Sequence, residues 1–163
     1  MVKIVQNDDL VLRKKAVEIP ISKISSLEIK EVISNMKEIL ATQDDGIAIA
    51  APQIGESIRL FIVSGSTLKL ADKNYKGEET DMIFINPEIT KLSKEKEEME
   101  EGCLSVRWKY GKITRSKKAS IRAYDENGKL FERGASGILA QVFQHEVDHL
   151  NGILFIDNAH DVK

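Results

Sequence analysis

Gly137-Ile138-Leu139-Ala140-Gln141-Val142-Phe143-Gln144-His145-Glu146-Val147-Asp148-His149-Leu150, closed by Asn151-Gly152, is the stretch on which the fold turns. At about 100° per residue, Ile138, Val142, His145 and His149 fall on one stripe, and Leu139, Phe143, Val147 and Leu150 on another. A helix that is apolar on two sides is a buried helix. Here the spacing predicts one over residues 136–150, with Asn151-Gly152 as its stop. Two imidazoles on an interior face need partners, because an unsatisfied buried polar group costs about 1–3 kcal/mol. His145 and His149 stand one turn apart, and with Glu146 they form His-Glu-x-x-His. That is the signature of a metal hydrolase, in which the glutamate reaches a water on the metal.

The rest of the chain reads as short strands and one further helix. Residues 59–63 and 82–85 are β-branched and apolar, with Asn86-Pro87 closing the second, and residues 64–81 between them read as a polar surface loop. Residues 120–124 and 129–132 flank Asp125-Glu126-Asn127-Gly128, a hairpin signal because Asn-Gly accepts positive φ. Residues 153–156 read as a last strand, and the charge run 94–98 as a solvated face. Ser25-Ser26-Leu27-Glu28 has the form of a capping box, and Ile29, Val32, Ile33, Met36, Ile39 and Leu40 recur behind it at helical spacing. An amphipathic helix is therefore expected from about Ser26 to Ala41. Residues 46–55 are small, neutral and bounded by glycines, which lets a backbone approach something closely. The expected fold is α+β: a single domain over residues 1–163, with short, mostly antiparallel strands packed around a central buried helix.

Composition narrows the chemistry. The chain has 163 residues, 42% of them hydrophobic, and its 24 basic and 26 acidic side chains leave a net charge of −2. No nucleic-acid field and no strongly acidic partner is implied. One cysteine, Cys103, and three histidines, His145, His149 and His160, exclude a disulfide framework and a zinc-finger array. A catalytic metal site keeps three protein ligands and one open position, so His145 and His149 need a third. The 14 residues after His149 contain no glutamate, and Phe155 stands where an extended His-Glu-x-x-His pattern has its third histidine. His160 sits in a polar tail and reads as a surface residue. Cys103 is either a thiolate ligand or a small buried hydrophobe. The N-terminus has no apolar leader, and the uncharged run 46–55 is far short of the about 20 residues a membrane span needs, so a cytoplasmic protein is expected.

Three segments together resemble one family, the peptide deformylases, which remove the formyl group from the N-terminal methionine of newly made bacterial and organellar proteins. They are Gly46-Ile47-Ala48-Ile49-Ala50-Ala51-Pro52-Gln53, Glu101-Gly102-Cys103-Leu104-Ser105 and Gln144-His145-Glu146-Val147-Asp148-His149-Leu150. The likeness continues through Asp9-Leu10-Val11-Leu12-Arg13, Ile85-Asn86-Pro87 and Gly152-Ile153-Leu154-Phe155. The resemblance implies one divalent ion per chain held by Cys103, His145 and His149, with Fe(II) the expected ion and Zn(II), Ni(II) or Co(II) suited to the same donors. It implies that water activated by the ion attacks the formyl carbon, with Glu146 as general base. Gln53 and the backbone N–H of Leu104 would stabilise the oxyanion. Ile47, Met99, Ile138, Val142 and the ring of His145 would form the methionine pocket. The peptide backbone would pair with the segment around Ile47, Ala48 and Gly102, with Gly46 also among the substrate-binding positions. The implied partners are N-formylmethionyl nascent peptides and, transiently, the ribosome, with no DNA, no membrane and a monomeric protein.

The chain also departs from the family pattern. Ala48 stands where glycine is usual, Gln141 where an apolar pocket residue is usual, and Arg107 replaces the proline after Val106. Residues 107–118 carry six basic side chains and no acid, which reads as a solvated hairpin, with ribosomal RNA contact as the alternative. Two other functions fit the same motif: a metallopeptidase, and a metal-stabilised binding protein deprived of activity by Ala48 and Gln141.

Overall fold

The computed structural model describes residues 2–71 and 80–163. In chain order the elements are α1 (Leu27–Ala41), β1 (Ala48–Ala50), β2 (Leu60–Val63), α2 (Gly65–Ala71), β3 (Met82–Leu92), β4 (Lys96–Cys103), β5 (Val106–Ser116), β6 (Lys118–Tyr124), β7 (Leu130–Ser136) and α3 (Gly137–Leu150). Short 3-10 turns at Leu10–Arg13, Ile21–Lys23, Ala51–Ile54 and Phe155–Asp157 link them. Strands β1-β2-β3-β6-β7 form one antiparallel sheet, and β4-β5 form a separate antiparallel hairpin.

Strand alternation sorts the core. Successive side chains point to opposite faces, so Phe61, Val63 and Phe84 lie in one apolar cluster with Leu139, Phe143 and Leu150 of α3. Leu60, Ile62, Ile83 and Ile85 lie in another with Ile29, Ile33, Met36 and Leu40 of α1. A sheet covered on both faces explains why β2 is apolar at every position. Phe61 stacks on Phe84 at 4.5 Å, and Phe143 meets Phe84 edge-on at 5.3 Å, which seats α3 on the sheet. The histidine stripe of α3 is thereby left facing the β4-β5 hairpin.

Polar ties fix that helix along its length. Gln144 accepts from Ser116 N and donates to Ser116 O, both at 3.0 Å, joining α3 to the end of β5. Arg59 donates to Leu150 O (2.9 Å) and Asn151 Oδ1 (3.0 Å), satisfying carbonyls at the helix C-terminus.

Several local expectations are corrected. The cap of α1 is Ser26, whose Oγ accepts from Ile29 N, so Glu28 sits inside the first turn and not at the end of a box begun by Ser25. Asn86-Pro87 does not close β3. The strand runs on to Leu92 through a shift of register between Ile85 and Glu88, where Asn86 takes φ 50° and a proline is tolerated. The Asn86 amide is held by Ile19, accepting from its N–H and donating to its C=O, each at 2.8 Å. Within the expected loop 64–81, Gly65–Ala71 is helical, started by Ser64 Oγ accepting from Thr67 N at 3.2 Å, and residues 72–79 lie outside the described residues. The charge run is solvated as expected, but from Lys96 onward it is strand β4. The expected last strand is instead the 3-10 turn Phe155–Asp157, tied down by Asp157 accepting from Leu154 N (3.0 Å) and pairing with Arg13 (2.6 Å). Among the described residues, no helix is long and apolar enough to cross a membrane.

Gly152 ends α3 at φ 77°, and a Cβ there would lie 2.6 Å from Arg13 O. Gly152→Ala is expected to lower stability by about 2 kcal/mol or more, since the left-handed conformation alone costs about 1–2 kcal/mol and the backbone overlap adds to it. The shift of the urea unfolding midpoint at constant slope measures the loss.

Candidate metal centre and active site

Helix α3, the end of β4 and the turn after β1 meet at one point. A ligand atom from each of Cys103, His145 and His149 lies within 4.8 Å of the others. Cys103 Sγ is 3.2 Å from His149 Nε2. His145 Nδ1 bonds the Glu101 carboxylate, which leaves its Nε2 for the cluster. Gln53, buried in the 3-10 turn, donates through Nε2 to Ser105 Oγ (3.1 Å) and Cys103 Sγ (3.6 Å), while its Oε1 accepts from Ala50 N (2.9 Å). Ser105 N also donates to Cys103 Sγ at 3.4 Å. Two sealed atoms at this point, Glu146 Oε2 and His149 Nδ1, have no hydrogen-bond partner among the described residues.

The electrostatics favour a thiolate. Burial opposes ionisation of Cys103, but the two imidazoles outweigh it and hold the thiol well below its ordinary range. Burial likewise opposes charge on His145, and Cys103 with Glu101 pushes it well above its ordinary range. Glu146 is pushed up by burial, against the pull of the two histidines. Glu101 is buried too, yet His145 and Arg115 hold its carboxyl at about 2. Arg115 donates to both Glu101 oxygens (2.6 and 3.2 Å) and to Asp148 (2.7 Å). The carboxylate therefore fixes the ring of His145, and the guanidinium fixes the carboxylate.

One cysteine sulfur and two imidazoles converging within 4.8 Å of one another are the donor set of a transition-metal ion. The residues fit such an ion, since it would meet three donors that otherwise crowd one another. A cavity of about 290 Å³ opens beside them, walled by Ile47, Ala48, Gly102, Leu104, Ile138 and Val142. A recess of that size, mostly apolar with a few convergent polar groups, suits a small ligand.

A sequence model of the polypeptide deformylases matches residues 1–163. The chain belongs to the polypeptide deformylase family. It is 41% identical over 152 residues to the peptide deformylase of Halothermothrix orenii, covering 93% of this chain and 88% of that one. The crystal structure of the peptide deformylase from Thermotoga maritima superposes with a TM-score of 0.83 at 36% identity, covering 97% of each chain. The Met-Ala-Ser-bound peptide deformylase of Acinetobacter baumannii gives a TM-score of 0.84 at 29% identity, covering 97% of this chain and 98% of that one. The α+β single-domain fold is that of these deformylases.

Most positions expected in the deformylase site come together. Ile47, Ala48, Gly102, Leu104, Ile138, Val142, His145 and Glu146 all line the cavity, with Gln53 and Cys103. Met99 and Gly46 do not. Met99 lies two residues before Glu101 in β4, opposite Ile113, and Gly46 is packed against Leu40 at the end of the α1–β1 connection. His160 pairs with Glu98 at 3.0 Å and is not in the ligand cluster.

The basic stretch is partly paired or buried, with Lys109, Lys112 and Lys118 exposed as expected of a solvated hairpin. Arg115 is buried, Lys117 pairs with Glu95 (2.9 Å), and Arg107 pairs with Asp45 (3.1 Å). Arg107 also lies 5.3 Å over the ring of Trp108, a cavity-wall residue at φ 66° that is 76% exposed. Sequence patterns missed Glu101, Arg115 and Asp148. The only cue was parity: Glu101 and Cys103, two apart in a strand, share a face.

Proposed function

We propose that this polypeptide deformylase releases formate from N-formylmethionyl peptides, the ends of nascent chains, at the cluster of Cys103, His145 and His149. One observation carries the assignment: Glu146 Oε2 is buried without a partner beside three converging metal donors. Cys103, His145 and His149 would hold one divalent ion, and Fe(II) is the ion we assign, with Zn(II), Ni(II) or Co(II) suited to the same donors. When bound, such an ion supplies a Lewis acid that lowers the pKa of a coordinated water from 15.7 to about 7.

The chain's own groups do the rest. Glu146 takes the proton of the attacking water and delivers it to the amine nitrogen as the carbon–nitrogen bond breaks, leaving formate and a free amino terminus. Burial raises the Glu146 carboxyl, which suits a group that must both accept and return a proton. Gln53 Nε2 and the Leu104 N–H donate to the formyl oxygen as it becomes anionic; losing one such donor typically costs about 10²–10³ in rate. Ile47, Ile138 and Val142 receive the first side chain. Backbone pairing with Ala48 and Gly102 reads main chain, which tolerates many sequences downstream. We assign the enzyme to the cytoplasm, acting as a monomer in brief contact with the ribosome.

The test is formate release from formyl-Met-Ala-Ser by protein prepared without oxygen. Turnover is expected to vanish on chelation and to return with Fe(II); no turnover in the Fe(II)-loaded protein would overturn the assignment. Chelation is also expected to lower thermal stability, by about 2.7 kcal/mol where free metal had stood at 100 times its Kd.

A further inference from the structure

Gln141 stands on the wall that α3 presents to the cavity, between the apolar Ile138 and Val142 and a turn before the metal-site residues His145 and Glu146. The residue is only 9% exposed. Its Nε2 donates twice, to Glu100 O and to Glu101 Oε2, each at 3.0 Å. Both partners can only accept, so the orientation of the amide is determined and Oε1 is the atom left over. That oxygen accepts no hydrogen bond among the described residues. It is not among the sealed, partnerless atoms either, so it keeps accessible surface, and its residue lines the cavity.

We propose that Gln141 is a specificity-determining residue, whose Oε1 lets the enzyme accept N-formyl peptides whose first side chain ends in an N–H donor, alongside methionine. The inference rests on the deformylase assignment and concerns only the pocket. A fixed acceptor on the cavity wall rewards a ligand that donates to it, and a purely apolar ligand that displaces its water leaves it unsatisfied. Glutamine is close to methionine in length and carries a terminal NH₂ that can donate. Glutamate has the same length but offers only acceptors when ionised, so it would oppose the Gln141 oxygen. An apolar residue at this position would give methionine its advantage back.

The experiment compares kcat/KM for formyl-Met-Ala-Ser, formyl-norleucine-Ala-Ser, formyl-Gln-Ala-Ser and formyl-Glu-Ala-Ser, using metal-loaded wild type, Gln141→Leu and Gln141→Met. In wild type, formyl-Gln is expected within about tenfold of formyl-norleucine and well ahead of formyl-Glu. In both variants the norleucine-to-glutamine ratio is expected to rise by about tenfold or more. Loss of the bonds to Glu100 and Glu101 slows every substrate together, so the ratio, not the rate, is the readout, and metal content is measured in each preparation. A ratio unchanged in both variants, or a wild-type preference for norleucine over glutamine beyond about 10³, overturns the proposal while leaving the deformylase assignment standing. Absence of formate from all four peptides in wild type would overturn both.

Discussion

Glu146→Gln is expected to lower formate release from formyl-Met-Ala-Ser by about 10²–10⁴-fold, the range typical of a lost general acid–base group. The substitution keeps the shape and removes the site for the proton. Because Glu146 Oε2 has no protein partner, the amide gives up no hydrogen bond within the described residues. A neutral side chain is also easier to bury than a carboxylate. The melting temperature should therefore hold or rise while activity collapses. Metal content should match wild type, since Glu146 is outside the set of Cys103, His145 and His149. Metal analysis and a thermal melt on the same preparation separate this from a folding defect. Full activity in Glu146→Gln would remove Glu146 from the mechanism.

Arg115→Ala is expected to be the most destabilising single change, by roughly 3–5 kcal/mol, the cost of leaving a buried charge without its partner. Arg115 and Glu101 are both buried, and the guanidinium bridges Glu101 to Asp148. Total stabilities of about 5–15 kcal/mol make such a loss large. Glu101 also orients His145, so the variant should bind metal about 10–100-fold more weakly. Urea unfolding and a metal titration read the two effects separately. Arg115→Lys keeps a charge but not the planar fork, and should recover only part of the stability. Pairing Arg115→Met with Glu101→Gln removes both charges. The double variant should be more stable than Arg115→Met alone, while metal affinity stays low, which distinguishes the fold's need for neutrality from the site's need for a carboxylate on His145.

Much of the metal cluster was legible because it is local. The four-residue spacing of His145 and His149 needs only helical periodicity to put both rings on one face, and the two apolar stripes of α3 announce a buried helix. The Asp125–Gly128 hairpin follows from backbone conformation alone, with Gly128 at φ 80° as Asn-Gly requires. Segments whose state depends on contact with distant chain were not legible. Pro87 looks like a strand end until the register shift at Asn86 is seen to carry β3 past it. Residues 153–156 have strand composition, but Asp157 closes the segment into a turn on Arg13. Met99 has pocket chemistry and lies off the cavity.

The sequence by itself determined the buried helix, its two imidazoles and the glutamate between them, because those relations span a single helical turn. Its three motifs also carried the family likeness that singled out Cys103. Only the tertiary structure decided what stands around them. The pairing of β4 with β5 sets Glu101 and Arg115 on the same side of the hairpin, and the packing of α3 against it brings Asp148 and Gln141 within hydrogen-bond reach. That took one cation, Arg115, out of an otherwise solvent-facing basic stretch, and made Gln141 a pocket residue whose Oε1 accepts no hydrogen bond among the described residues. The physical reason is separation along the chain: Gln141 and Glu101 are 40 residues apart, and Arg115 and Asp148 are 33 apart. No local periodicity encodes such pairs; they are set when the sheet, the hairpin and the helix bury their apolar faces against one another.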